Sequence, residues 1–391
     1  MNTLDDVDVK GRKVILRTDI NLPVEDGHPN KTVRFDRYME TIQELSDRGA
    51  KTLVVAHQGR PERDDFISLE EHVEMVSEEL GQDTVFINSF FGSELDEEFE
   101  NLEKGEVALL ENIRLLSEEL ESASSEQHSK DLFIENLAEK ADLYVNDAFS
   151  VAHRAHASVM GFEPLLESIA GRVMQQELEN CRKIREELEE PLLVLGGEKP
   201  SDIIGVIEEL VEKTDKILLG GIPGELSLII KGNNLGEKRE WIEKNGLDEE
   251  KETLERLLDN HGDKIIVPVD VETGQSSKKP GKIGGEEMVW DIGRETASNY
   301  AEEIKNAETV LMKGPMGAFD QGHGNGTRKI VEAIAESEGF TVLGGGHTSS
   351  LVQRFGHSLD DFSHVSIAGG AFVRFMSGEE LPAVKSLEKY S

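Results

Sequence analysis

One cysteine, Cys181, serves the whole 391-residue chain. That excludes an internal disulfide framework and any multi-cysteine metal site. Inside an acidic helical stretch, the thiol also lacks an environment that activates a nucleophile. Long apolar runs are missing too, and none approaches the ~18 residues needed to cross a bilayer. Residues 1–6 carry neither the basic nor the apolar region of a signal peptide, so a soluble cytoplasmic protein is expected. Basic charge is scarce: 42 Lys+Arg face 79 Asp+Glu, a formal charge of −37. Nucleic acid and anionic membrane are thereby excluded as partners, because binding them needs clustered cations. The acid is spread along the chain, as on a solvated surface, and its magnitude points to a salt-rich cytoplasm where repulsion is screened. Three catalytic signatures are absent as well. There is no G-x-x-x-x-G-K-[ST] loop, no dinucleotide fingerprint directly after a strand, and no G-x-S-x-G elbow.

What is present is alternation. Short aliphatic runs read as strands at 14–17, 52–56, 84–87, 107–110 and 143–145, then at 192–195, 216–219, 264–269, 309–312, 341–343 and 364–367. Between them lie stretches such as 37–48, 69–80 and 132–140, with apolar residues every three or four positions. Strands alternating with amphipathic helices mean βαβ units and parallel sheets, and the length allows two domains. The expected fold is α/β: two doubly wound, Rossmann-like parallel-sheet domains joined by a long helix, with a cleft between them. The boundaries expected are 1–166, a joining helix at 167–190 with no neighbouring strand, 191–381, and a tail at 382–391 that packs back on the first domain.

In open parallel sheets, ligands bind beyond the carboxyl ends of the strands. In the first half those ends are polar and basic: Arg17-Thr18-Asp19-Ile20-Asn21, His57-Gln58-Gly59-Arg60, Glu111-Asn112-Ile113-Arg114, and Asn146-Asp147 followed by His153-Arg154-Ala155-His156, with Arg34 just before a helix. Taken singly, each arginine reads best as a surface ion pair. Recurrence at successive strand ends points instead to a pocket for a small polyanion, since guanidinium matches phosphate and carboxylate bidentately. Two histidines without a third ligand do not make His153 and His156 a zinc site. In the second half the strand ends are glycine-rich: Gly196-Gly197-Glu198-Lys199, Gly220-Gly221, Lys313-Gly314-Pro315-Met316-Gly317, Gly344-Gly345-Gly346-His347-Thr348 and Gly369-Gly370. Glycine admits close backbone approach, and helix N-termini offer N–H groups to phosphate. The polyphosphate of a nucleotide is the natural ligand.

Together these motifs, in this order, resemble the phosphoglycerate kinase family over essentially the whole chain. The resemblance implies an N-terminal domain for 3-phosphoglycerate and a C-terminal domain for Mg–ATP. It implies a cytoplasmic, hinge-bending, monomeric enzyme of glycolysis and gluconeogenesis that moves phosphoryl between ATP and the substrate carboxylate. Matching positions would place Asp19 and Asn21 at the glycerate hydroxyl and carboxylate end, and Arg34 at the reacting carboxylate. His57, Arg60, Arg114 and Arg154 would hold the stable phosphate, and Lys199 would follow the moving phosphoryl. Gly197, Gly221, Lys313, Asp320, Gly344, Gly345, Gly346, His347 and Thr348 would line the nucleotide.

Three departures fall on the nucleotide side: His347 where the family has an acid, Ile203 for a second lysine, and Lys313 for an asparagine. With the acid gone, Asp202 is the candidate carboxylate near magnesium, though it equally reads as a helix cap. The pattern suggests a divergent, salt-adapted archaeal branch. Two alternatives stay open: another kinase forming an acyl phosphate, and a non-catalytic two-lobed anion binder.

Overall fold

The computed structural model describes residues 1–391 except 188, 189, 275, 346–350 and 377. The chain forms two compact units, Met1–Asn180 with Glu380–Ser391, and Cys181–Glu379.

Unit 1 is built on β1 (Lys13–Arg17), β4 (Lys51–Val55), β5 (Val85–Ile87), β6 (Val107–Leu110), β7 (Leu143–Asn146) and β8 (Ser168–Ala170), all parallel, in the order β5-β6-β4-β1-β7-β8. A two-residue hairpin, β2 (Val24–Glu25) with β3 (His28–Pro29), stands apart. Val14, Leu16, Leu53, Leu109 and Val145 are fully buried, as expected of strands covered on both faces by crossover helices. The strand order reverses direction at β1/β7, so loops diverge there and leave a crevice at the carboxyl edge.

Unit 2 repeats the plan. Its strands are β9 (Leu192–Leu195), β10 (Ile217–Leu219), β11 (Ile265–Ile266), β15 (Thr309–Lys313), β16 (Phe340–Gly344) and β17 (His364–Ser366), parallel in the order β11-β10-β9-β15-β16-β17. Its reversal lies at β9/β15, whose following loops begin at Gly196 and Gly314. A small antiparallel sheet of β12 (Val271–Glu272), β13 (Ser277–Lys278) and β14 (Asp291–Ile292) is added. It escapes the sequence because two-residue strands show no periodicity.

Two expectations are corrected here. The segment 167–190 does contain a strand, β8, and its helix runs Arg172–Glu187, crossing from one unit to the other at Asn180/Cys181. Helix Val33–Asp47 starts before Arg34, which therefore lies in its first turn rather than ahead of it.

The last segment is the helix Pro382–Tyr390 and belongs to unit 1. The Ala383 N–H donates to the Ala152 carbonyl at 3.1 Å, and the Tyr390 hydroxyl donates to Glu126 Oε1 at 2.7 Å.

Candidate functional site

The carboxyl edge of the first sheet is organised by buried amides before any cation is considered. Gln58 and Asn112 are fully buried. Gln58 Oε1 accepts from the Leu22 N–H at 2.8 Å, Asn112 Oδ1 accepts from the Gln58 N–H at 3.2 Å, and Asn112 Nδ2 donates back to the Gln58 carbonyl at 2.8 Å. These bonds lock together the loops after β1, β4 and β6. Asp147, after β7, caps helix Arg172–Glu187 through the N–H groups of Val173 and Met174 at 2.8 and 3.1 Å. Burial pushes its carboxyl up to about 7. A Cβ on Gly171 would stand 2.3 Å from Asp147 Oδ1, so glycine is required there.

On this frame the cations gather. Arg17, buried, donates from Nε to Ser158 Oγ at 2.8 Å and from a terminal nitrogen to His57 Nδ1 at 3.1 Å, with Glu119 3.9 Å away. Arginine only donates, so Nδ1 of His57 is the acceptor and its proton sits on Nε2. Burial first, then Arg17, Arg114, Arg154 and His156, hold the His57 pKa well below its ordinary value. His57 is therefore a neutral imidazole offering one N–H.

Arg114 is buried and donates to the Gly59 carbonyl. Its Nε has no hydrogen-bond acceptor, a cost unless a ligand supplies one. Burial, with Arg154 and Arg17 next, lowers its pKa to about 10. His156 is pushed down to about 3, mainly by burial and then by Arg154 and Arg114. Arg17, His57, Arg114, Arg154 and His156 thus share one field, as expected of a polyanion pocket. Arg17 lies beneath it as framework.

Asp19 Oδ1 accepts from the Asn21 N–H at 3.0 Å, and Oδ2 stands 3.5 Å from Arg34 and accepts from Ser150. Asn21 Oδ1 accepts from the Gly59 N–H at 2.8 Å. Arg60 is exposed, with its backbone N–H on Asp65.

Glu119 is the residue the sequence did not single out. Buried, it accepts from the Ser158 N–H and hydroxyl at 2.7 and 2.8 Å and lies 3.7 Å from His156. It is the counter-charge under the cluster. Glu118-Glu119 reads in sequence as two more surface acids, so nothing there marks it.

The carboxyl edge of the second sheet uses backbone. Gly196, Gly197, Gly314, Gly344, Gly345, Gly369 and Gly370 line a cavity of about 270 Å³ together with Lys199, Asp202, Ile203, Lys313 and Asp320. Gly314 has φ +75°, and a Cβ there would meet the Gly196 carbonyl at 2.4 Å. Gly221, at φ +54°, would bring a Cβ within 2.6 Å of the Gly197 nitrogen. Lys313 Nζ donates to the Asp202 carbonyl at 3.2 Å. Burial lowers its pKa to about 8, with Lys199 adding to the fall and Asp202 opposing it. Lys199, Asp202 and Asp320 are exposed. Gly197, Glu198, Pro315 and Asp320 also line a second cavity of about 170 Å³, walled by Gly221, Trp241, Met288, Trp290 and Phe319. Gly346, His347 and Thr348 lie outside the described residues.

A larger cavity, about 620 Å³, opens beside Arg294 and Lys329. The helices starting at Arg294 and Asn325 are already capped there, by Asp270 on the Thr296 N–H at 2.8 Å and Asp291 on the Gly326 N–H at 2.8 Å. We place no chemistry in it. Among the described residues no group of three or more His, Cys, Asp or Glu is arranged to hold a metal ion, and no helix is long and apolar enough to cross a membrane.

Comparison with known proteins agrees along the whole chain. The family profile described as phosphoglycerate kinase matches residues 4–379. Proteins named phosphoglycerate kinase from Halorubrum lacusprofundi and Haloarcula marismortui are each 40% identical, over 99% of this chain and 98% and 99% of their own. The crystal structure of phosphoglycerate kinase from Pyrococcus horikoshii OT3 superposes with a TM-score of 0.94 at 34% identity, covering 99% of this chain and 98% of that one.

Proposed function

The chain belongs to the phosphoglycerate kinase family, and from that premise we propose how its two strand-edge sites divide the reaction. The reaction itself is reversible phosphoryl transfer between ATP and the carboxylate of 3-phosphoglycerate, giving ADP and 1,3-bisphosphoglycerate. Family membership removes the two alternatives the residues had left open.

In unit 1 the stable phosphate is held by His57, Arg60, Arg114 and Arg154. The observation that carries this reading is the buried Arg114 Nε without an acceptor, beside a neutral His57 whose Nε2–H is free to donate. A phosphate oxygen satisfies both. Asp19 and Asn21 orient the glycerate end, and Arg34 meets the carboxylate that reacts. That carboxylate is already ionised, so the site needs no general base. Catalysis is positioning and charge neutralisation.

In unit 2 the glycine-walled cavity takes the phosphates, with Lys199 and Lys313 as its cations. Gly197, Gly221, Gly344 and Gly345 let the backbone approach, and Asp320 stands between the phosphate and base ends, where a ribose would lie. The set fits magnesium carried by the nucleotide, since that ion is ordinarily held by one or two carboxylates plus substrate phosphates. Asp202 would be its protein ligand, and the ion when bound neutralises phosphate charge. Lys199 accompanies the transferred group at the nucleotide end. The formal charge of −37, together with 40% identity to proteins from Halorubrum lacusprofundi and Haloarcula marismortui, supports a salt-adapted cytoplasmic enzyme, which we take to be a monomer.

A coupled assay with 3-phosphoglycerate and Mg–ATP tests the assignment. A kcat/KM that survives Arg114→Ala and Lys199→Ala unchanged would overturn it.

A further inference from the structure

The second cavity of unit 2 contains a charge pair that phosphoryl transfer does not use. Among its apolar walls stand Glu225, on helix Gly221–Ile230, and Lys238, on helix Glu237–Lys244. Both side chains are 7% exposed, and Lys238 Nζ lies 3.3 Å from Glu225 Oε2. The two are not aligned as a hydrogen bond, and Oε2 accepts none from the described residues. The ammonium also lies over Trp241 at 4.9 Å and Trp290 at 6.0 Å. Burial pushes the Glu225 carboxyl up to about 7 against the pull of Lys238. These are the marks of a carboxylate with too few donors. A buried pair of this kind is a burden on stability unless its remaining lone pairs are satisfied.

We propose that Glu225, held by Lys238, reads the hydrogen-bonding edge of the nucleotide's purine, and that the pair admits guanine as well as adenine. The inference rests on the reading of this end of the site as the base pocket. The complementarity follows from the chemistry of the two edges. Guanine presents an acceptor, O6, then two donors, N1–H and the 2-amino group. Lys238 donates to the first and the two Glu225 oxygens accept from the others. Adenine presents the reverse order, a donor at its 6-amino group and an acceptor at N1, so it sits in a shifted pose with N1 on Lys238 and the 6-amino group on a single oxygen of Glu225. The aromatic walls supply stacking for either base.

Glu225→Gln separates the two cases. An amide still pairs with adenine, its carbonyl accepting from the 6-amino group and its N–H donating to N1. Against guanine the amide N–H meets a donor. Calorimetric titration with ADP, GDP and IDP, which lacks the 2-amino group, is the test. For the unaltered protein, GDP should bind within threefold of ADP or better, and IDP about tenfold more weakly than GDP. Glu225→Gln should weaken GDP about tenfold and leave ADP within about threefold. If that variant fails to fold, the three-nucleotide series on the unaltered chain decides alone. Equal binding of GDP and IDP, or equal weakening of ADP and GDP by Glu225→Gln, would overturn the proposal. Lys199→Ala serves as the control on the underlying reading. It should weaken all three nucleotides alike, and no effect on any of them would instead refute the nucleotide site itself.

Discussion

Unit 1 presents side chains at its strand ends, and unit 2 presents backbone. Both are parallel sheets whose strand order reverses near the centre, so both open a crevice at the same edge. In unit 1 the crevice is filled with buried guanidinium and imidazole groups, fixed by Gln58, Asn112 and Glu119. In unit 2 it is walled by glycines, of which Gly221 and Gly314 combine a positive φ with contacts that leave no room for a Cβ. The difference follows from what each must hold. A small substrate with one fixed phosphate is gripped by converging charged donors. A polyphosphate chain is cradled by many backbone N–H groups. Side-chain sites fail through lost charge, and backbone sites fail through lost shape.

The largest effect expected from breaking this contrast is on turnover. Arg34→Ala should cut kcat by about 10²–10³ while changing the 3-phosphoglycerate KM little, because its cation acts on charge that develops in the transition state. Arg114→Ala should instead raise that KM, since it holds a phosphate that never reacts. Steady-state kinetics with the reverse pattern would dissolve this division of labour.

Next comes shape. Gly314→Ala forces a side chain into the positive-φ region and against the Gly196 carbonyl. It should cost more than about 2 kcal/mol of stability and weaken ADP while leaving 3-phosphoglycerate binding intact. Denaturant unfolding and two binding titrations check this. Equal damage to both ligands would show that the two recognition modes are not independent.

The desolvated imidazoles of unit 1 carry a pH signature that the glycine loops lack. His156 ordinarily titrates at 6.5 and is held at about 3 in the folded chain. As pH falls below 6.5 the unfolded chain takes up a proton that the folded one refuses, so stability declines from 6.5 towards 3. At pH 5 the loss from this group is about 2 kcal/mol. Asp147, raised to about 7, works in the opposite direction, because the folded state takes its proton first. The test is therefore a difference: His156→Asn should flatten the acid limb of unfolding free energy between pH 6.5 and 5. Parallel curves would mean that the imidazole is not desolvated.

Smallest per residue, and spread over both units, is the response to salt. A formal charge of −37 repels itself over a screening length of about 10 Å at 0.1 M and about 3 Å at 1 M. Melting temperature should rise with potassium chloride between roughly 0.1 and 3 M, while 3-phosphoglycerate affinity falls as its attraction to the arginines is screened. A flat or falling melting curve would show that the acidic surface is no salt adaptation.

The amino-acid order by itself determined the alternating architecture, the two kinds of strand end and the family. These rest on local signals: apolar runs, helical spacing, and residue types that sit next to a strand in sequence. It determined Arg34, His57, Arg114 and Lys199 as candidates for the same reason. Only the tertiary structure decided that Arg17 lies beneath the pocket and that Glu119 is its buried counter-ion. In each case the missing information is desolvation or long-range contact. Glu118 and Glu119 are chemically identical neighbours in the chain, and folding alone leaves Glu119 buried beside Arg17 with Ser158 bonded to it.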